Sequence, residues 1–177
     1  VPGNTAQYTG ARSQTMSGGM LRSSSQLGNY AVTGTNQVSG SDFALIELNS
    51  NIPTSYNPYF AGWNRLSSGP TSGVGIHHPA GDEKKISTYS NSAISATYNG
   101  GWTGAHWRVT WVSTTNGHGV TEGGSSGSPL FNQSGLIVGH LSGGSSFCTS
   151  PNAPDLYGKM DKAWDQEGTN NNERLKP

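Results

Sequence analysis

The sequence predicts an all-β protein, and three observations support this prediction. Short apolar runs are separated by turn residues throughout the chain. Gly, Ser, Thr and Asn supply 82 of the 177 residues, which is typical of short strands joined by many tight turns. Five Trp, seven Tyr and four Phe supply the apolar surface that a disordered chain lacks.

Composition also excludes several classes of function. Charged residues make up 11% of the chain and balance to a net charge of zero, without a basic cluster. This argues against binding to nucleic acid or to a membrane surface. The apolar runs are only a few residues long and none follows Val1, so we expect neither a membrane span nor an apolar targeting segment.

The elements can be justified in chain order. Tyr30–Val32 is a short possible strand, and Asp42–Leu48 is an apolar run bounded by turn residues, which predicts a buried strand. A loop with three prolines follows from 51 to 70. Three further strand-like runs are Val74–His78, Lys85–Tyr89 and Ala93–Tyr98.

The segment Ala105–Val112 has the clearest alternation. Side chains alternate across a strand, so this period of two predicts a half-buried strand with one aromatic and one polar face. The aromatic face carries Trp107, Val109 and Trp111, and the polar face carries His106, Arg108 and Thr110.

The last part of the chain contains a predicted hairpin and a predicted helix. Pro129–Phe131 and Leu136–Leu141 flank Asn132–Gly135, a short connection with a glycine available for positive φ. The segment Asp161–Gln166 predicts a short C-terminal helix, with Asp161 as its N-cap.

One segment suggests acyl-transfer chemistry. Gly124-Ser125-Ser126-Gly127-Ser128-Pro129 leads into an apolar strand. Small neighbours expose a serine hydroxyl and leave backbone N–H groups free for a developing oxyanion. The alternative is an ordinary Gly/Ser loop, which composition alone favours. The segment 67–70 has a similar composition of serine, glycine and proline but leads into turn residues instead of a strand.

The motif resembles the nucleophile segment of chymotrypsin-fold serine proteases, with Ser126 as the nucleophile. The segment starting at Asp42 resembles the one that carries the catalytic aspartate. From about Ser41 to Trp164 the chain is similar to bacterial lysyl endopeptidases, secreted enzymes that cleave after lysine. The matching segments are Ala61–Arg65, Gly75–Pro79, Glu83–Ser87 and Gly119–Glu122.

The resemblance implies a chymotrypsin-like double β-barrel. The chain would contain the C-terminal barrel and part of the N-terminal one, with a short C-terminal helix. Residues 1–60 would be the remainder of the N-terminal barrel and carry the aspartate. Residues 61–177 would be the C-terminal barrel, with the nucleophile and the specificity pocket.

The resemblance also implies how a peptide binds. The N–H groups of Gly124 and Ser126 would form the oxyanion hole. Ser142, Gly143 and Gly144 would pair with the substrate backbone as an antiparallel strand. Ser142 departs from the lysyl endopeptidases, which tend to have histidine there, and matches the wider trypsin-like pattern.

Lysine specificity needs a carboxylate. The position that holds the pocket acid in trypsin is Val120 here, whereas lysyl endopeptidases place theirs on a later strand, at Asp155. Asp155 is therefore expected to bind the substrate ammonium, because a neutral side chain would leave it unpaired. Without the resemblance it would be interpreted as a loop carboxylate. Glu122 is a secondary pocket candidate, and the pocket aromatic is either Tyr98 or Trp102.

A general base is missing from the expected position. The family order is histidine, aspartate, serine, but all five histidines follow Asp42. Neighbouring His77 and His78 would point to opposite faces of a strand, so they form a poor metal chelate. We predict structural or surface roles for all five histidines, and no metal or other cofactor. The catalytic histidine is expected from an N-terminal segment or chain of the same precursor.

Two further expectations concern assembly. Cys148 is the only cysteine and falls where lysyl endopeptidases pair a cysteine with one near their N-terminus. A disulfide to a cysteine outside this chain is therefore implied; the alternative is a buried, inert thiol. Ser125 stands where zymogens often have an activating aspartate, so Val1 is not expected to insert as an activating N-terminus.

The leading hypothesis is a secreted serine endopeptidase that cleaves after lysine. A second hypothesis is a catalytically inactive homologue that binds peptides along Ser142–Gly144. A third is a carbohydrate-binding β-domain that uses Trp63, Trp102 or Trp107, although the strand alternation favours a core position for Trp107.

Overall fold

The computed structural model describes residues 14–25, 40–99 and 101–177. Within these ranges the chain forms eleven strands and one α-helix, which confirms the mostly β prediction with a short C-terminal helix. The elements are β1 (Gly19–Ser24), β2 (Ala44–Leu48), β3 (Gly73–His77), β4 (Lys85–Tyr89), β5 (Ile94–Ala96), β6 (His106–Val109), β7 (Ser113–Thr114), β8 (Gly117–His118), β9 (Pro129–Asn132), β10 (Ile137–Gly144), β11 (Asp155–Lys159) and α1 (Met160–Asp165).

Seven strands form one antiparallel sheet. Their order is β4-β3-β9-β10-β11-β6-β5. The sheet also closes on itself, because edge strand β4 meets the chain just after β6: the N–H of Val112 donates to the carbonyl of Thr88 at 2.8 Å. This closure surrounds the core with strands.

The core contains the predicted aromatic face of β6. Trp107 and Trp111 are buried, and Trp111 packs edge-on against Tyr157 with the ring centroids 6.1 Å apart. This confirms the preference for a core position over a carbohydrate platform. His106 was predicted on the polar face but is 1% exposed, because Tyr98 covers it with the ring centroids 5.6 Å apart.

β1 and β2 form a separate two-stranded ribbon. The prediction of a buried strand at 42–48 is wrong for β2, all of whose residues are exposed. Within the described ranges β2 pairs only with β1, and no second layer packs on it. The possible strand Tyr30–Val32 lies outside the described residues, and the division at residue 60 stays a prediction.

The hairpin prediction is confirmed, and the helix cap is corrected. Gly135 has φ +71°, and its N–H donates to the carbonyl of Asn132 between paired strands β9 and β10. Helix α1 is capped by Lys159 without a side-chain hydrogen bond, because β11 runs directly into the helix. Asp161 therefore lies inside the first turn. In the described ranges, no helix has the length and apolarity needed to cross a membrane.

Candidate active site

The loop between β8 and β9, residues 119–128, carries the predicted nucleophile and is called the nucleophile loop here. Ser126 is exposed at its tip. Two consecutive turns shape the tip: the N–H of Ser125 donates to Glu122 at 3.0 Å, and that of Ser128 donates to Ser125 at 3.1 Å. Gly124 has φ +97°, and an added Cβ there would lie 3.1 Å from the carbonyl oxygen of His78. This turn therefore requires glycine.

Strand β10 anchors the nucleophile loop. The N–H of Gly127 donates to the carbonyl of Leu141 at 2.8 Å, and the N–H of Leu141 donates to Ser128 at 2.9 Å. Among the described residues, the N–H groups of Gly124 and Ser126 have no hydrogen-bond acceptor. These two donors beside an exposed hydroxyl are what an oxyanion hole requires.

Asp42 lies beside Ser142, the residue that follows Leu141 on β10. Its carboxylate is half-buried. Burial raises the pKa of Asp42, while its interactions with the Ser142 side chain and with the nearby His140 oppose this rise. On its other side, the Ser142 hydroxyl lies 3.0 Å from Nε2 of His106. The structure thus brings Asp42 next to Ser142, and the preceding residue of β10, Leu141, anchors the nucleophile loop.

Asp155 is fully buried at the start of β11. Its Oδ2 accepts hydrogen bonds from Nε1 of Trp111 at 2.6 Å, the Thr121 hydroxyl at 2.7 Å and the Ser146 hydroxyl at 2.6 Å. Its Oδ1 accepts one from the N–H of Ser146 at 3.1 Å. All four donors are neutral, and among the described residues no cation pairs with this carboxylate.

The end of β10 brings further predicted pocket residues together. The hydroxyl of Tyr98 contacts Gly143, and the Asp155 carboxylate contacts Gly144, so a side chain at either glycine would clash. Trp102 lies elsewhere, beside α1, with Nζ of Lys162 5.2 Å from its ring centroid. Of the two candidate aromatics, Tyr98 is the one placed against the predicted substrate-pairing strand.

Glu122 and Cys148 are neighbours. Sγ of Cys148 lies 3.5 Å from Oε1 of Glu122, and a cavity of about 380 Å³ adjoins both side chains. Cys148 is exposed, so the alternative of a buried thiol is wrong.

The five histidines all lie in the described residues, and none hydrogen bonds to Ser126. Four have the following ring partners: the Ser142 hydroxyl for His106, the Ser41 carbonyl for His140, the Asp82 carbonyl for His78 and the Gly119 carbonyl for His118. The fifth, His77, contacts Ser125 and was missed as a site residue by sequence reasoning. The sequence signal for this role is the side-chain alternation of the strand, which places His77 on the face opposite to that of exposed His78. Among the described residues, no group of His, Cys, Asp and Glu could hold a metal ion.

Residues 4–158 match the family described as lysyl endopeptidase, C-terminal domain. This chain belongs to that family. The match confirms the resemblance inferred from the motifs and, with it, the chymotrypsin-like β fold. A lysyl endopeptidase of Pseudomonas aeruginosa is 39% identical over 116 residues, which are 62% of this chain and 23% of the relative. The chain thus matches about a quarter of that protein's length.

Two solved structures are also similar to the chain. A tobacco etch virus protease mutant has 16% identity and a TM-score of 0.41, and the match covers 70% of this chain and 47% of that one. The inactive form of Rv3671c from M. tuberculosis has 11% identity and a TM-score of 0.46, with coverage of 83% and 74%. The family assignment rests on the sequence match alone.

Proposed function

We propose that this chain carries the nucleophile and the catalytic aspartate of a secreted serine endopeptidase that cleaves after lysine. Membership of the lysyl endopeptidase family supports protease chemistry. The observation that carries the proposal is the arrangement along β10, whose Leu141 holds the loop of exposed Ser126 and whose Ser142 side chain interacts with Asp42.

The proposed reaction is acyl transfer. The Ser126 hydroxyl attacks the scissile carbonyl as its proton passes to a histidine, and the N–H groups of Gly124 and Ser126 stabilise the oxyanion. The same histidine protonates the leaving amine, and water then hydrolyses the acyl-enzyme. Asp42 orients the histidine and stabilises its cationic form.

The histidine comes, in this proposal, from outside the chain. None of the five histidine rings hydrogen bonds to Ser126, although His77 lies 2.9 Å from the hydroxyl of the adjacent Ser125. Strand β2, next to Asp42, is exposed along its whole length. Apolar Leu45, Ile46 and Leu48 on this strand are at least 40% exposed. An N-terminal segment of the same precursor that covered β2 would bring its histidine close to Asp42.

Asp155 is the proposed partner of the substrate lysine. Four neutral donors fix its carboxylate without supplying a positive charge. A lysine ammonium would provide the missing charge, whereas a leucine side chain would leave the buried carboxylate unpaired. Gly144 packs directly against the Asp155 carboxylate, and a larger residue there would displace it.

Labelling with a fluorophosphonate tests the nucleophile. We expect the full-length protein to be labelled on Ser126, and Ser126→Ala to lose both label and peptidase activity. Ser128→Ala is the matched control, because it removes a serine from the same loop and should keep the label. An intact protein that stays unlabelled would contradict the proposal.

The second candidate is an inactive homologue that binds peptides along Ser142–Gly144. The absence of any hydrogen bond between Ser126 and the chain's own histidines favours it. Full-length protein that captures peptides but leaves Ser126 unlabelled would establish this alternative.

We further propose that Cys148, which is exposed, forms a disulfide with a cysteine outside this chain, as expected for an exported protein. Native material should separate into two bands on reducing electrophoresis or change mobility on reduction. An unchanged band, with Cys148 reactive toward a maleimide, would rule out the disulfide.

A further inference from the structure

A buried hydrogen-bond network lies directly beneath the nucleophile loop. The hydroxyl of Ser125 lies 2.9 Å from Nδ1 of His77, and Nε2 of His77 lies 3.0 Å from the hydroxyl of Ser87. All three side chains are at most 2% exposed. His77 therefore links the residue that precedes Ser126 to strand β4.

The outer contacts of the network fix the direction of each hydrogen bond. The hydroxyl of Ser87 donates its one proton to the carbonyl of Val120 at 3.3 Å, so its oxygen accepts from Nε2–H of His77. Nδ1 of His77 is then bare and accepts the hydroxyl proton of Ser125. The oxygen of Ser125 in turn accepts the N–H of Glu122 at 3.4 Å. Every polar atom in the network is satisfied only if His77 is neutral and protonated on Nε2.

The surroundings favour this neutral form. Burial lowers the pKa of His77, and the nearby His78 lowers it further, while Asp155 and Glu122 oppose the shift. A cationic ring would carry a proton on Nδ1 and would force the Ser125 hydroxyl to turn away from it. The network therefore has one satisfied arrangement at neutral pH.

We propose that His77 is a positioning residue for the nucleophile, acting through Ser125. This inference rests on the proposed protease function. The backbone of Ser125 takes part in both turns of the loop tip, donating to Glu122 and accepting from Ser128. Fixing its side chain restrains the peptide planes on either side, one of which carries the N–H of Ser126 and leads into the residue that bears the nucleophilic hydroxyl. Small displacements of such groups cost about a hundredfold in rate.

Two variants of the full-length enzyme separate positioning from simple stability. His77→Asn places an amide oxygen near the position of Nδ1 and keeps the acceptor for Ser125. His77→Gln reaches the position of Nε2 and keeps the donor for Ser87. Each variant loses one of the two buried hydrogen bonds of His77 and keeps the other, so the two variants can be compared directly.

We expect His77→Gln to lower kcat by about tenfold to a hundredfold with little change in KM, and His77→Asn to keep kcat within about threefold of the native enzyme. Fluorophosphonate labelling rates should follow kcat. Equal kcat values in the two folded variants would overturn the inference. If the variants do not fold, Ser125→Ala and Ser87→Ala repeat the comparison, with the loss of kcat expected only for Ser125→Ala.

The protonation of the ring gives a measurement that does not depend on activity. Long-range ¹⁵N–¹H NMR correlations of His77 in the native protein should show a proton on Nε2 and a bare Nδ1. A ring protonated on Nδ1 would overturn the inference even in an active enzyme. Native protein without activity would instead contradict the proposed function.

Discussion

Replacing Asp155 with asparagine tests the charge of the proposed pocket without changing its shape. The asparagine side chain is nearly isosteric with that of aspartate, and its amide oxygen can take the place of Oδ2, which accepts three of the four hydrogen bonds. Its NH₂ group then faces the N–H of Ser146, so one hydrogen bond is lost. The main change is the loss of a buried negative charge.

The expected loss of activity follows from the ion pair that Asp155 would form with the substrate lysine. Removing one partner of a buried ion pair costs about 3–5 kcal/mol. At about 1.4 kcal/mol for each tenfold change, kcat/KM for a lysine peptide should fall by about two to three and a half orders of magnitude. A leucine peptide gains nothing from the charge, so its kcat/KM should stay constant or rise.

The assay compares three peptides that differ only in Lys, Arg or Leu at the cleavage position, using the native enzyme and Asp155→Asn. Thermal unfolding of both proteins controls for stability. An unchanged ratio of Lys to Leu cleavage in the folded variant would refute the assignment of Asp155. Equal kcat/KM for all three peptides in the native enzyme would refute the lysine preference itself.

Three further predictions concern the supporting residues. Trp111→Phe removes a hydrogen-bond donor to a buried carboxylate and should lower the free energy of unfolding by about 1.5–3 kcal/mol in urea titration. Trp107→Phe removes a hydrogen bond to a backbone carbonyl and should lower the free energy of unfolding by about 1 kcal/mol through that bond. Equal losses in the two variants would contradict this difference. Burial lowers the pKa of His106 from 6.5 to about 4. The contribution of His106 to the free energy of unfolding is therefore complete above pH 6.5 and should fall by about 3 kcal/mol as the pH drops to 4. His106→Gln should remove this pH dependence of the free energy of unfolding. Ser142→Ala should raise the pKa of Asp42 further, because the interaction with Ser142 lowers it. An unchanged Asp42 pKa in an NMR titration of the carboxyl carbon would refute this interaction.

Local patterns predicted what depends on local geometry. The burial of Trp107 and Trp111 follows from side-chain alternation in one strand, and the turn at Asn132–Gly135 follows from its residue types. The position of Ser126 on an exposed loop follows from its small neighbours. Each of these predictions needed only a few consecutive residues.

What the sequence could not predict depends on partners far along the chain. His106 is buried because Tyr98 covers it, and no pattern within β6 records that contact. The apolar composition of β2 predicted burial, but composition does not specify whether a second layer packs there. The link from His77 to Ser125 joins residues 48 positions apart, so it becomes visible only after the sheet is assembled.

Strands β1, β7 and β8 were missed for another reason. β7 and β8 have two residues each, too few to show any period. β1 has only Met20 and Leu21 as large apolar residues, and both are exposed. Strand signals in sequence come from burial, so a strand with open faces leaves little trace.

The pairing of β10 has a consequence for how this enzyme family can diversify. A β-bulge interrupts its register with β11 between Leu141 and Gly143, at the position of Ser142. Inserting or deleting one residue in this strand would reverse the alternation and turn Ser142 away from Asp42 while also separating Gly144 from its neighbour. Length variation among relatives should therefore be concentrated after Ser146, whose two hydrogen bonds to Asp155 fix the start of the following turn, so that Ser126 and Asp42 keep their relative positions.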